Sequence, residues 1–129
     1  MDPRELIAES KGGGNDHLAA MVANAIGADL LILLTDTEGL HTANPKKEDK
    51  AELVTRVEKI TPEVYSWAGE GDDPKHESNG GMLYKLKTSE TYKGDIVIAN
   101  GIPENGLYRV IHDIVTGEPI GTYFMRQQE

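Results

Sequence analysis

The feature that most constrains the fold is an apolar run, Leu30 to Leu34, followed directly by Thr35 and Asp36. The run shows no alternation of polar and apolar residues, which is typical of a strand buried on both faces of a parallel sheet. Before Gly27, apolar residues recur with the spacing of an amphipathic helix: Leu18, Met21, Val22, Ala25 and Ile26. Asn15 or Asp16 could cap this helix. We therefore expect a helix that leads into a central strand.

The rest of the chain continues this alternation of helices and strands. The elements predicted are a weak edge strand within 53–60, a short helix opened by Thr61 and Pro62, a long exposed loop over 69–81, a helix from Met82 to about Thr91 opened by Gly80 and Gly81, a strand from Asp95 to Ala99, a helix from Leu107 to Val115 closed by Gly117, and a strand from Ile120 to Phe124. This order is typical of an α/β fold with a mostly parallel sheet flanked by helices.

Length and charge limit the class of protein. The chain has 129 residues, which suits a single domain over 1–129, and 27% of them are charged. Its net charge of −9 argues against a surface for nucleic acid or anionic membranes, which require basic patches. With no apolar run long enough to span a bilayer and no cysteine, we expect a cytoplasmic protein.

Ligands of open parallel sheets bind beyond the carboxyl ends of the strands. Two such ends are predicted, at Thr35-Asp36 and at Asn100-Gly101, and a Gly80-Gly81 pair precedes a helix that carries Lys85. Glycines allow a phosphate to approach the backbone, and a lysine can neutralise a transferring phosphoryl group. Each feature alone is more typical of an ordinary turn, cap or solvated side chain than of a ligand site. Their occurrence in one chain favours a phosphate ligand.

Several blocks of sequence resemble one enzyme family. "GNDHLAAMVANAIGADLLILLTDTEGLHTANP", "ITPEVYSWAGE", "NGGMLYKL", "IVIANG" and "GEPIGTYF" are similar to the C-terminal half of glutamate 5-kinases, within the amino acid kinase family. The resemblance extends from Gly14 to Phe124, and residues 1–11 form an unmatched lead-in. It implies transfer of the γ-phosphoryl group of ATP, with Mg²⁺, to the side-chain carboxylate of L-glutamate in proline biosynthesis.

The resemblance also implies roles for individual residues. Thr35 and Asp36 would contact the nucleotide, and the stretch Asn79, Gly80, Gly81, Met82 and Lys85 would cover its phosphates. Lys85 would be catalytic, because it stabilises charge in the transition state, and Asp16 would orient the catalytic lysines. Asn15 would hold the glutamate. Such chemistry depends on positioning and charge neutralisation, so the absence of cysteine is no objection.

The chain also departs from the family. The N-terminal Lys-x-Gly-Ser loop, with the first of two catalytic lysines, and most of the glutamate pocket have no counterpart. We therefore expect an incomplete ATP-binding half that is inactive alone, with a complementing half-domain or a homo-oligomer as partner. The alternative is a non-catalytic structural or interaction domain that keeps the fold.

A metal site built from side chains is not expected. His17, His41, His76 and His112 are scattered without the spacing of ligands, and the acidic stretch 70–73 is typical of a solvated loop.

Overall fold

The computed structural model describes residues 14–43, 49–68 and 77–127, so the lead-in 1–11 and the acidic stretch 70–73 lie outside the described residues. The described part contains both helices and strands, interspersed along the chain, which confirms the predicted α/β class. Their bounds are α1 Gly14–Ile26, β1 Leu30–Thr35, β2 Arg56–Val57, α2 Pro62–Trp67, α3 Glu77–Thr91, β3 Asp95–Asn100, α4 Gly106–Thr116 and β4 Thr122–Phe124.

The four strands form one sheet in the order β1-β3-β4-β2. The β1–β3 and β2–β4 pairs are parallel and the β3–β4 pair is antiparallel, so the prediction of a mostly parallel sheet is confirmed. The prediction that Leu30–Leu34 forms a central strand is wrong for the sheet of the described residues, because β1 lies at its edge and Leu34 is 37% exposed. The central position belongs to β3, in which the four residues from Ile96 to Ala99 are all buried.

Helices cover the two faces of the sheet. One face packs against α1 and α3, in a core that includes Ala20, Ala23, Leu33, Met82, Leu86, Ile96, Ile98 and Phe124. The other face packs against α4, where Val97 and Ala99 meet Val110. Successive residues of β3 therefore serve opposite cores, as the period of a strand requires.

Two helices begin earlier than predicted. α1 begins at Gly14, so Asp16 lies within its first turn and is not its cap. α3 begins at Glu77, which makes 77–81 helical and not part of a loop. A glycine inside a helix costs about 1 kcal/mol relative to alanine. Burial of Met82 and Leu86 against the sheet offsets that cost.

The smaller predicted elements agree with the structure. The weak strand is β2, a two-residue strand at the sheet edge. Thr61 caps α2 by accepting a hydrogen bond from the Val64 N–H at 3.3 Å, and Trp67 packs against the larger core. The last strand is shorter than predicted, because Gly121 takes a φ of +60° that interrupts extended backbone before Thr122.

A polar cluster holds the start of β3 to the end of β4. The Asp95 carboxylate accepts hydrogen bonds from the Tyr123 hydroxyl at 2.5 Å and from the Arg126 N–H at 2.7 Å, with the Arg126 guanidinium 3.6 Å away. Burial by itself would raise the pKa of Asp95. The hydrogen bonds from Tyr123 and Arg126 and the charge of Arg126 together outweigh burial and hold this pKa below its usual value of 3.8.

Asp95→Asn is expected to lower the free energy of unfolding by about 2 kcal/mol at neutral pH, because hydrogen bonds to a charged group each contribute roughly 1.5–3 kcal/mol. The depressed pKa means that the stabilisation is complete above the unfolded-state pKa and is lost as the pH falls through the folded-state pKa. Urea unfolding of the wild type and of Asp95→Asn, at neutral pH and at about pH 3, measures the difference in free energy of unfolding at each pH. The deficit of the variant should shrink in acid.

Asp29→Asn provides the control, because Asp29 is an exposed carboxylate close to the same strand. Its substitution should change stability by less than about 0.5 kcal/mol at either pH. A deficit for Asp95→Asn that is equal at both pH values would contradict the assignment of the stabilisation to the ionised carboxylate.

Candidate functional site

The carboxyl ends of β1 and β3 lie side by side. Thr35 is in register with Asn100, and the Gly101 N–H donates to the Thr35 carbonyl at 3.0 Å. The two strand ends singled out by the sequence therefore meet at one edge of the sheet. Links of three residues join α1 to β1 and α3 to β3, so the N-terminal ends of both helices point toward this same edge.

The loop that follows β1 is held by a buried threonine of β4. Thr122 is fully buried, and its hydroxyl accepts from the Leu40 N–H at 2.8 Å and donates to the Val54 carbonyl at 2.5 Å. Gly39 has a φ of +156°, and a Cβ at this position would lie 2.6 Å from the Thr122 hydroxyl. Only glycine allows the loop to approach β4 this closely.

A second contact joins the same loop to the end of β3. The Asn100 side-chain amide donates to the Glu38 carboxylate at 2.8 Å, and its carbonyl accepts from the Ile102 N–H at 2.9 Å. The segment after β1 is thus fixed at Glu38 and at Leu40. Thr35 and Asp36, which precede these anchors, lie on a positioned segment, Thr35 half-buried and Asp36 exposed.

Asp16 and Lys85 are brought together by the packing of α1 on α3. The Lys85 ammonium donates to the Asp16 carboxylate at 2.9 Å. Lys85 is 8% exposed although it is charged, and the Asp16 side chain is 22% exposed. A lysine this buried requires a partner, and the carboxylate supplies it. The two residues assigned catalytic roles by resemblance therefore form one ion pair.

The helices α1 and α3 run parallel, with contacts at both ends. Asn24, near the end of α1, donates to the Thr91 carbonyl at 3.3 Å and accepts from the Lys93 N–H at 3.0 Å. Asp16 and Lys85 make the corresponding contact eight and six residues earlier. Lys85 is therefore level with the first turn of α1, and α3 extends about another 12 Å from Lys85 toward its own N-terminus, at 1.5 Å per residue. Lys85 lies about two turns from the start of α3 at Glu77.

The glycine-containing stretch lies inside α3. Asn79, Gly80 and Gly81 belong to the first two turns of the helix, and Met82 is buried in the core. The N–H groups without helical partners are those at the start of a helix. Because α3 begins at Glu77, the N–H groups of Gly81 and Met82 fall within the hydrogen-bonded part, and the Met82 side chain faces the core.

Asn15 lies in the first turn of α1, next to Asp16. The structure thus places Asn15, Asp16, Thr35, Asp36 and Lys85 on elements that converge on one edge of the sheet. The roles assigned to them stay predictions. Sequence reasoning did not single out Thr122 or Glu38 for any role. Thr122 lies in the block "GEPIGTYF", but the sequence of this block does not indicate that Thr122 contacts the loop after β1.

A cleft of about 500 Å³ lies on the other face of the sheet, between α4 and β4. Its walls include Arg56, Arg109, Ile114 and Tyr123, together with Glu38 from the loop after β1. The Arg109 Nε is buried without a hydrogen-bond partner among the described residues. None of the residues predicted to bind nucleotide lines this cleft, so the cleft is distinct from the predicted site.

Within residues 14–43, 49–68 and 77–127, no group of three histidine or acidic side chains is arranged to hold a metal ion. In the same part of the chain, no helix combines the length and apolar character that a bilayer crossing requires.

The sequence matches a known family over most of its length. The model of the amino acid kinase family matches residues 4–90. The chain is 41% identical over 123 residues to a glutamate 5-kinase of Lactiplantibacillus plantarum, covering 93% of this chain and 44% of the relative. It is 44% identical over 119 residues to a glutamate 5-kinase of Methanosarcina mazei, covering 90% of this chain and 29% of the relative. The chain therefore spans less than half the length of these curated relatives.

The fold is also found in solved structures. The uridylate kinase of Archaeoglobus fulgidus aligns with a TM-score of 0.58 and 28% identity, over 84% of this chain and 45% of that one. An isopentenyl phosphate kinase aligns with a TM-score of 0.57 and 22% identity, over 85% of this chain and 36% of that one. The second likeness is one of fold alone.

Proposed function

Because the chain belongs to the amino acid kinase family, we propose that it is the ATP-binding part of a glutamate 5-kinase-like enzyme of proline biosynthesis. In that reaction an oxygen of the L-glutamate side-chain carboxylate attacks the γ-phosphorus of ATP. The bond from this phosphorus to the β–γ bridging oxygen breaks, so that glutamyl 5-phosphate and ADP form. The identity of about 40% to glutamate 5-kinases supports this choice of substrates.

The observation that carries the proposal is the Asp16–Lys85 pair. Its ammonium and carboxylate are 2.9 Å apart, on two helices whose N-terminal ends point toward the carboxyl ends of β1 and β3. Phosphoryl transfer is catalysed mainly by positioning and by neutralising charge on the transferring group. A buried lysine held in one direction by a carboxylate is suited to this task.

Each residue then has a defined part. Lys85 neutralises charge on the transferring phosphoryl group, and Asp16 is a positioning residue that fixes the ammonium through its hydrogen bond. Thr35 and Asp36 contact the nucleotide from the loop held by Thr122. Asn15 holds the glutamate substrate beside the start of α1.

Mg²⁺ fits this arrangement as a companion of the nucleotide. Mg²⁺ tends to bind through substrate phosphates, water and one or two carboxylates, so it requires no cage of protein side chains. Asp36 is an exposed carboxylate at the end of β1 that could serve as such a ligand. When bound, the ion neutralises charge on the phosphates.

A second candidate function is a non-catalytic interaction domain that keeps the fold. Two observations favour it: the Gly81 and Met82 N–H groups lie within α3, where helical hydrogen bonds use them, and large apolar side chains are exposed on α1 and α4. Binding of nucleotide separates the two candidates.

Calorimetric titration of the chain with ATP and Mg²⁺ tests the proposal, with ADP for comparison. We expect weak, saturable binding in the millimolar range that Lys85→Ala weakens at least tenfold, because a charge-assisted hydrogen bond contributes about 1.5–3 kcal/mol.

Lys87→Ala is the matched control. Lys87 lies on the same helix and carries the same charge, but it is exposed and its ammonium sits over the Tyr84 ring. Its loss should leave the affinity within about twofold, as expected for a screened surface charge. If no heat of binding were measured at millimolar ATP, or if both variants lost affinity for ATP equally, the non-catalytic interaction domain would be favoured.

A further inference from the structure

The loop after β1 is held by the sheet at both of its ends. At its start, the Thr35 carbonyl accepts a hydrogen bond at 3.0 Å from the backbone that follows β3. At its end, the Leu40 N–H donates to the Thr122 hydroxyl at 2.8 Å, and the Leu40 carbonyl accepts from the Val54 N–H at 2.7 Å. The stretch 36–38 lies between these anchors. Because several backbone paths can join two fixed points, the position of this stretch depends on its own contacts.

Asn100, at the end of β3, supplies such a contact. Its side-chain N–H donates to the Glu38 carboxylate at 2.8 Å, and its side-chain carbonyl accepts from the Ile102 N–H at 2.9 Å. A side-chain amide has one donor group and one acceptor. Here each of them is used by a partner of the matching kind, which fixes the orientation of the amide.

The backbone next to Asn100 is closely packed. Asn100 ends β3, the strand in which the four preceding residues are buried. A Cβ on Gly101 would lie 2.9 Å from the Leu34 side chain, and a Cβ on Gly106 would lie 2.6 Å from the Gly101 carbonyl oxygen. These close approaches leave the segment after β3 little room to shift. Asn100 is therefore a fixed partner for Glu38.

The contact depends on the chemistry of the amide. An ionised carboxylate only accepts hydrogen bonds, so Glu38 requires a donor at position 100. Aspartate at this position would still accept from the Ile102 N–H, but it would turn a second carboxylate toward Glu38, and like charges repel each other. The change Asn100→Asp is thus expected to break the contact with Glu38 and to keep the one with Ile102.

We propose that Asn100 is a positioning residue, which through Glu38 holds the loop after β1 where Thr35 and Asp36 can reach a nucleotide. The identity of the ligand rests on the proposed function, whereas the order of the loop is a property of the chain without ligand. A loop that is already ordered loses less conformational freedom when the ligand binds, which raises the affinity. Asn100 therefore contributes to nucleotide binding without touching the nucleotide.

Amide ¹⁵N relaxation of the ligand-free chain at pH 8 tests the order of the loop. In the wild type, residues 36–38 should have order parameters near the value of about 0.85 that is typical of rigid backbone. Asn100→Asp should lower them below about 0.6. Combining Asn100→Asp with Glu38→Gln moves the donor to position 38 and the carboxylate to position 100. The hydrogen bond can then form again with reversed polarity, so the order parameters should recover, which a purely local effect of Asn100 on folding would not explain.

Calorimetric titration with ATP and Mg²⁺ provides the functional measurement. Asn100→Asp should weaken binding about fivefold, because the loop must then be ordered on binding, and the double variant should bind within about twofold of the wild type. Ile102→Asp is the matched control. It adds the same charge two residues away, on a side chain that is 74% exposed, and should leave the order parameters unchanged and the affinity within about twofold.

Circular dichroism reports whether each variant folds, and Glu38→Ala decides the result if Asn100→Asp does not fold. The proposal would be overturned by order parameters of 36–38 that are low in the wild type, unchanged in Asn100→Asp or not restored in the double variant. A loosened loop with unchanged affinity for ATP would overturn it as well. If the wild type bound no ATP, the proposed function would fail, and the order parameters would still decide whether Asn100 holds the loop.

Discussion

Asp16→Asn is expected to lower the free energy of unfolding by about 3 kcal/mol, because it leaves the Lys85 ammonium, 8% exposed, without its anionic partner. Lys85→Met should cost less, about 1–2 kcal/mol, because the Asp16 carboxylate that remains is more exposed and can be hydrated. The double variant should cost less than the sum of the two, since it leaves no unpaired charge. Urea unfolding of the wild type, the two single variants and the double variant measures these differences as a double-mutant cycle.

Glu58→Gln is the control, because it breaks an ion pair whose two side chains are exposed. Arg56 and Glu58 are 3.9 Å apart, with side chains 55% and 78% exposed. Breaking this pair should change stability by less than about 0.5 kcal/mol. If Asp16→Asn were as mild as Glu58→Gln, or if the two losses at Asp16 and Lys85 were additive, the pair would not be the coupled, buried feature described above.

Gly121→Ala is expected to destabilise the protein by about 4 kcal/mol, enough to unfold much of a domain of marginal stability. Gly121 has a φ of +60°, which costs a residue with a Cβ roughly 1–2 kcal/mol. The added Cβ would also lie 2.1 Å from the Ile98 carbonyl oxygen, on backbone of the central strand that cannot move without breaking the sheet. Thermal or urea unfolding measures the loss.

Gly117→Ala separates the two causes. Gly117 has a φ of +82°, but a Cβ there meets nothing within 4 Å. Its substitution should therefore cost about 1 kcal/mol, from backbone strain alone. If the two substitutions lowered the free energy of unfolding equally, the close approach of Gly121 to the Ile98 backbone would not be the cause of the larger expected loss.

The first of these experiments also bears on function. The ion pair of Lys85 contributes to stability as well as to the proposed binding of nucleotide. The affinities of Lys85→Ala and of the wild type for ATP must therefore be compared at the same fraction of folded protein. Lys85→Met makes this feasible, because it removes the ammonium at an expected cost of only about 1–2 kcal/mol.

Local pattern was sufficient to predict the secondary structure along most of the chain. The strands around Leu33 and Val97, and the helix ended by Gly117, are defined by residues close in sequence. The edge position of β1 could not be predicted, because strand order depends on contacts between distant segments and apolar runs alone do not reveal it. The start of α3 was misjudged because Gly80 and Gly81 are typical of turns, whereas packing of Met82 and Leu86 extends the helix through them.

The candidate site was predicted through resemblance more than through pattern. Asp16 and Lys85 are 69 residues apart, and neither spacing nor composition indicates that they touch. The same limit applies to Thr122, which is 82 residues from the loop that it holds. Contacts of this kind depend on how α1 packs on α3 and how β4 joins β3.

The location of bound nucleotide on the chain distinguishes the proposed site from the cleft on the other face of the sheet. Amide NMR spectra of the labelled chain, recorded while ATP and Mg²⁺ are added, report which residues change environment. If the proposed function is correct, shifts are expected at Asn15 and Asp16, from Thr35 to Gly39, and in α3 up to Lys85. An absence of shifts at millimolar ATP, or shifts confined to the cleft of Arg109 and Tyr123 on the other face of the sheet, would contradict it.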